Sequence, residues 1–518
     1  MTVPTDTTTA TTPTAPRTLR SHETKRGIVL LFIGLMLSML LSSLSQTVLS
    51  AAMPTMVGEL DGVEHMLWIM TAYMLGATIT MPIYGKVGDL IGRKSLMIAA
   101  IIAFMAGSVI GAMAGDMTTM IAARVVQGLG GGGLMILSQA IIADVVPARE
   151  RGKYMGVMGA VFAVSSVAGP LLGGWFTEGI GWRWTFWMNL PLGILALLAT
   201  VLFLKLPEGT RIRPKIDGWG MSLLAAATTC IVLVGSWGGK DYAWDSITII
   251  GLSVGAAVTG IAFVLVERRV AEPIMPLHLF RDRNFNLTTL AGLLTGVAMF
   301  GAIGYLPTYL QMSFGATATG AGLLMIPMMG ALLLTSVLTG WLVSRYGRYK
   351  WMPIVGSLVV AIGMGLLGTI TPDTPLVVFC TYLGIMGMGL GASMQILVLI
   401  VQNSFPNSEV GTATASNNYF RQIGSSLGGA VVGSLFTTRL ADGLAARIPD
   451  AGSLGSGMNS LTPDSVMHLP TAIHLQVMYA YNDALAPLFL YMVPLALASF
   501  ILLLFVREVP LATTIERQ

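Results

Sequence analysis

The stretch Gly85-Lys86-Val87-Gly88-Asp89-Leu90-Ile91-Gly92-Arg93-Lys94 is a charged, glycine-broken turn between two long apolar runs. It recurs as Gly340-Trp341-Leu342-Val343-Ser344-Arg345-Tyr346-Gly347-Arg348-Tyr349-Lys350. Gly85, Asp89, Gly92 and Arg93 align with Gly340, Ser344, Gly347 and Arg348, each 255 residues on. A charged turn repeated at a fixed offset inside a hydrophobic chain predicts two membrane halves built on one plan.

Composition agrees with that plan. Of 518 residues, 54% are hydrophobic and only 10% are charged, where a soluble domain carries about a quarter. Such a chain cannot solvate its own surface, so most of that surface must face lipid. The basic residues sit in short turns rather than in one patch, which argues against nucleic-acid binding. Cys230 and Cys380 stand singly in apolar runs and provide neither a metal spacing nor a disulfide framework. No glycine-rich phosphate loop ending in Gly-Lys-Ser/Thr occurs, which disfavours an ATP-driven pump. The expectation is a non-enzymatic membrane protein without cofactor or metal, working as a monomer among membrane lipids.

Fourteen apolar runs are long enough for the hydrocarbon core, which takes about 20 residues of helix. They fall near 27–53, 67–85, 95–114, 118–143, 153–177, 185–205, 219–236, 247–266, 287–309, 318–341, 351–370, 375–401, 411–436 and 484–506. With the N-terminus inside, 23 of the 29 Lys and Arg lie in cytoplasmic segments, four in external loops and two within helices. That asymmetry follows the positive-inside rule and puts both termini in the cytoplasm. The predicted fold is an all-α integral membrane protein of 14 transmembrane helices: two six-helix pseudo-repeat bundles plus an inserted helix pair. Residues 1–26 form a disordered tail, 27–206 the first bundle, 207–284 a linker with two extra helices, 285–506 the second bundle and 507–518 a cytoplasmic tail. The second bundle includes a long external loop over 437–483, with the Gly/Ser stretch Gly452 to Gly457.

The first turn resembles the signature loop of the major facilitator superfamily. That resemblance implies a conformational latch built from Gly85, Asp89, Gly92 and Arg93, with Asp144 near enough in the plan to pair with Arg93. Arg124-Val125-Val126-Gln127-Gly128 matches the family's fourth-helix motif, whose Arg is implicated in proton transfer or substrate contact. A charge at that depth is costly, so Arg124 should face the bundle interior, with Gln127 beside it. Gly156, Ser165, Gly169, Pro170, Gly173 and Gly174 match the spacing of the motif that exporters of the family keep, with Ser165 where the pattern has Gly. A small-residue seam of this kind lets the fifth helix pack closely against its counterpart in the other half, and Pro170 bends it. Trp182-Arg183-Trp184-Thr185-Phe186 and Asn189-Leu190-Pro191 resemble the next junction of the fourteen-helix drug:proton antiporters.

Polar residues within the remaining runs complete a proposed proton or substrate pathway: Asn417 and Arg421 in the thirteenth run, Tyr305 in the ninth and Gln395 in the twelfth. Polar groups at that depth must line a cavity or satisfy one another. The family's first helix usually carries an Asp; here that position is Ser45, and no carboxylate falls at mid-membrane in any run. Proton coupling is therefore an implication of the resemblance and not of these residues. The reading as a whole is a secondary exporter of lipophilic or amphipathic molecules, of multidrug efflux type, in a bacterial inner or plasma membrane. A lipid handler or flippase, or a gradient-independent metabolite exporter, is the alternative.

Overall fold

The computed structural model describes residues 23–62, 65–204, 216–239, 241–316, 318–447 and 471–513. The start of the predicted N-terminal tail, the basic linker residues Lys205, Arg211, Arg213 and Lys215, and Gly452 to Gly457 lie outside the described residues. The first half comprises α1 (Glu23–Glu59), α2 (Met66–Ile91), α3 (Arg93–Ala112), α4 (Met117–Val145), α5 (Ala148–Glu178), α6 (Trp184–Trp187) and α7 (Asn189–Phe203). The inserted pair is α8 (Gly218–Trp237) and α9 (Ile247–Glu267). The second half comprises α10 (Arg283–Ile303), α11 (Leu306–Phe314), α12 (Ala318–Leu324), α13 (Ile326–Tyr346), α14 (Trp351–Leu367), α15 (Leu376–Ser404), α16 (Val410–Arg447) and α17 (Thr471–Leu504).

Every predicted run coincides with a helix or with a helix that is broken once. Eleven helices among the described residues are long and apolar enough to cross a membrane, and α14 is a shorter apolar one. The breaks have local causes. Pro307 sits at the start of α11 and Pro327 at the start of α13, and proline has no N–H to continue the preceding ladder. Both copies of the repeated turn carry a glycine at positive φ. Gly92 between α2 and α3 has φ +98°, and its equivalent Gly347 after α13 has φ +73°, a region that a side chain disfavours. Side-chain caps start other helices: Asp116 accepts from Thr119 N at α4 (2.8 Å) and Asp282 from Phe285 N at α10 (2.7 Å). These caps satisfy donors that would otherwise be orphaned at a helix start.

The expected external loop over 437–483 is shorter than the hydropathy pattern indicated. α16 runs on to Arg447 and α17 starts at Thr471, so only 448–470, outside the described residues, separates them. The apolar criterion stops at the first polar residues, whereas Thr437 to Arg447 keep helix-forming Leu, Ala and Arg beyond bilayer length. Arg439 donates to the Tyr491 hydroxyl (2.6 Å), and Arg447 pairs with Asp483, so the two extensions stand side by side.

Two bundles follow from the packing. α1 lies on α5 and α7, and α4 on α2 and α3; in the second half α10 lies on α16 and α17, and α15 on α13 and α14. The bundles meet through α5 against α13 and through α2 against α16. α2 and α13 carry the two copies of the repeated turn, so one contact is built twice. The inserted α8 touches both bundles, packing on α2 and α16, and α9 leans on α8. The outer face of α9, with Ile250, Val254, Val258, Ile261 and Leu265, is exposed, as a lipid-facing helix requires.

Candidate functional site: the doubled contact between bundles

Asp89 lies in the last turn of α2 and is almost fully buried, its side chain 4% exposed. Its carboxylate accepts from Arg93 Nη2 at 2.6 Å within its own half. From the other half it accepts Gly411 N (3.2 Å), Thr412 N (2.7 Å) and Thr412 Oγ1 (2.8 Å). Two of these donors are open N–H groups of the first turn of α16, where a helix carries partial positive charge. Asp89 therefore caps a helix of the opposite bundle. Arg93 extends the cluster: Nη1 pairs with Asp144 at 2.5 Å and donates to Ala140 O (2.6 Å), and Nη2 reaches Asn407 O in the second half (3.2 Å). Gly85 sets the spacing, because a Cβ there would overlap Ala415 and lie 2.7 Å from Gly411 O. Arg151, outside the latch expected from sequence, donates to Ala143 O (2.6 Å), Val146 O (3.0 Å) and Asn407 Oδ1 (3.3 Å).

The second copy makes the neutral version of the same contact. Ser344 stands where Asp89 does; its Oγ accepts from Lys153 N (3.0 Å) on α5 and donates to Glu150 O (3.4 Å). Gly340, the equivalent of Gly85, touches α5 so closely that a Cβ would overlap Gly152 O and lie 3.1 Å from Gly156 Cα.

This geometry corrects the expected seam. α5 does cross to the other half, but onto α13, the repeat of α2, and not onto α16, its own counterpart. Gly156 makes that crossing: a Cβ on it would overlap Ser336 O, and Ser336 Oγ donates to Gly156 O (3.1 Å). Farther along, α5 turns to its own half. Ser165 O accepts from Thr47 Oγ1 on α1 (2.8 Å), Gly169 abuts Thr47 and Gly173 abuts Val48 O. Pro170 is half-buried near Gly322 of α12, and Gly174 has open space where a side chain would stand. The spacing of small residues identifies close approach but not the partner helix.

The polar interior residues form separate groups. Arg124 is 0% exposed; it donates to Ile69 O (3.1 Å) and to Gln127 Oε1, and lies over the Tyr73 ring at 4.3 Å. Gln127 Nε2 donates in turn to Ser108 Oγ (2.8 Å), which also receives Asn189 Nδ2 (3.2 Å). This network stays inside the first bundle. The α16 group bridges the bundles: Asn418 Nδ2 donates to Gln139 Oε1 of α4 (2.9 Å), Arg421 to Asn418 Oδ1 (2.5 Å), and Asn417 to Thr289 Oγ1 of α10 (3.1 Å). Gln402 Nε2 joins it through Gln139 O (3.2 Å). Tyr305 stacks on Phe436, with centroids 5.0 Å apart, and shares no polar contact with either group. Gln395 is buried beside Gly159, its Oε1 without a partner. Tyr73, Ser108, Gln139 and Gln402 gave no signal in the sequence, since a lone hydroxyl or amide in an apolar run does not announce its neighbours.

Two bundles joined by a contact repeated under pseudo-symmetry are an architecture found in secondary transporters. The family model of the Major Facilitator Superfamily matches residues 35–429, and the chain belongs to that superfamily as a multi-pass membrane transporter. It is 39% identical over 506 residues to an uncharacterised MFS-type transporter of Mycobacterium tuberculosis, covering 96% of this chain and 72% of that protein. It is 37% identical to the multidrug transporter protein MdtP of Bacillus subtilis, with 86% and 85% covered. Multidrug resistance protein 3 of the same organism is 33% identical, with 93% and 96% covered. Among solved structures, the human organic anion transporter MFSD10 superposes with TM-score 0.59 at 16% identity, over 93% of this chain and 99% of that one. The proton:xylose symporter XylE gives 0.55 at 20%, over 90% and 96%. These two likenesses establish the fold alone.

Proposed function

We propose that the protein is a secondary exporter of lipophilic or amphipathic small molecules that exchanges them for protons by alternating access. The observation that carries this reading is the doubled contact of α2 with α16 and of α5 with α13. Two equivalent hinges on a pseudo-twofold axis let the bundles rock about a central pocket. In this conformation the bundles are closed at the end bearing the repeated turns. The positive-inside distribution assigns that end to the cytoplasm, so the closed face is the one from which a drug would be loaded. Opening it requires Asp89 to release three donors on α16 and Arg93 to release Asn407 O. Gly85, Gly92 and Asp144 serve the same latch by spacing, turning and pairing.

Arg124, Gln127, Asn417 and Arg421 are proposed to supply the polar lining that changes exposure as the bundles move. Relatives named for multidrug transport and multidrug resistance in Bacillus subtilis support export as the direction. The test is dye accumulation in a pump-deficient bacterium expressing the chain. Accumulation should fall and should recover when a protonophore collapses the pH gradient. Unchanged accumulation defeats export, and export indifferent to the protonophore defeats proton exchange.

A further inference from the structure

We propose that Asp217 and Glu267, at the base of the inserted helix pair, hold a proton between them and form a proton-binding site of this transporter. The proposal deepens the proton-exchange reading above, and it supplies the buried acid that is missing from the position of Ser45. Both residues are buried, Asp217 at 6% and Glu267 at 3% exposure. Asp217 precedes α8 and uses only one oxygen, Oδ1, to accept from Gly220 N (2.8 Å). Its Oδ2 is buried without a hydrogen-bond partner. Glu267 ends α9 and accepts Ile274 N on Oε1 (3.0 Å) and Met275 N on Oε2 (3.3 Å). The two carboxyls face one small space. A Cβ on Gly220 would overlap Asp217 Oδ2 and lie 3.0 Å from Glu267 Oε1. Glycine keeps that space open.

The local charge count favours a proton. Among the described residues, Lys86 of α2 is the cation that acts on Glu267, and it is already engaged by Glu272 of the following segment at 2.7 Å. Arg268 and Arg269, next along the chain from Glu267, are exposed. On the α16 side, Tyr419 belongs to the apolar cluster that includes Ile274 and Met275, and its hydroxyl bonds Thr228 (2.8 Å). Among the described residues three carboxyls therefore share one lysine, and two neighbouring buried carboxyls cannot both ionise without a large penalty. A proton on Glu267 Oε1, donated toward Asp217 Oδ2, gives that orphaned acceptor a donor and removes one charge. The same Lys86 stands three residues before Asp89, so the charge state at the base of the insert acts on the helix that carries the latch.

The test is an infrared titration of the purified full-length protein, reading the carbonyl stretch of protonated carboxylic side chains. The wild type should show such a band near neutral pH, and the band should be absent from both Glu267→Gln and Asp217→Asn. Asparagine preserves the helix cap, so Asp217→Asn carries the test if Glu267→Gln does not fold. A wild type without the band, or a band that survives in the variants, overturns the assignment. Replacing choline chloride by sodium chloride at constant pH should leave the band unchanged; its loss assigns the space to a metal cation and also overturns it. If the band behaves as expected while dye efflux ignores a protonophore, the site stands and the proton-exchange reading falls.

Discussion

Replacing Asp89 by alanine should release the closed face of the transporter. The side chain receives four donors at 2.6 to 3.2 Å, three of them from the opposite bundle. Hydrogen bonds to a charged group are worth about 1.5–3 kcal/mol each, and breaking a buried ion pair by removing one partner costs about 3–5 kcal/mol. Arg93 keeps Asp144 and Ala140 O, which points to the low end, about 3 kcal/mol. That is a shift of about a hundredfold toward the state open at the repeated turns. The assay is a spin-label distance measurement in a background lacking Cys230 and Cys380. One label goes at exposed Ser95 in the first half and one at exposed Ser408 in the second. The variant should transfer population from the short to a longer distance, and Asp89→Glu should transfer less. A distribution identical to that of the parent refutes the role given to the carboxylate.

Other outcomes follow from neighbouring geometry. Gly340→Leu should abolish efflux while the protein still inserts, because the side chain must enter the space of Gly152 and Gly156, whereas Gly174→Ala should leave efflux unchanged; dye export and membrane yield report both. Arg124→Ala removes a buried cation and strips Gln127 and Ile69 O of their donor, so thermal unfolding in detergent should drop by several degrees, with Arg124→Lys recovering only part because lysine cannot span the same acceptors. Asp116 outside the span has its carboxyl held below the usual range by the Thr119 N–H. Its contribution to α4 is therefore complete above the ordinary carboxylate pKa and lost as pH falls through the lowered value. Unfolding midpoints of the wild type and Asp116→Ala should differ at neutral pH and converge in acid.

How much of this was legible depended on the range of the interaction. The turn at Gly92 and Gly347 could be read because backbone demand is local, and the left-handed φ is present in both copies. Arg93 and Asp144 carry opposite charges at ends that the topology brings to one face, so their contact followed from helix order. Arg124 had to be internal because lipid would not accept it. The partner of the small-residue seam was not legible: Gly156 and Gly169 look alike in sequence, yet one meets α13 and the other α1. Nor was the length of α16, since hydropathy ends where the bilayer does and the helix does not. Asp217 and Glu267 escaped notice because each ends an apolar run, where an acid ordinarily meets water. Only the packing of α8 on α9, with Gly220 between them, buries both.

The most direct measurement is flux through reconstituted protein whose bundles are tethered at the second hinge. Cysteines replacing Ser344 and Lys153, joined by a short bifunctional reagent, should stop dye transport, and cleavage of the linker should restore it. Undiminished transport across the intact tether would contradict rocking of the two bundles as the transport step.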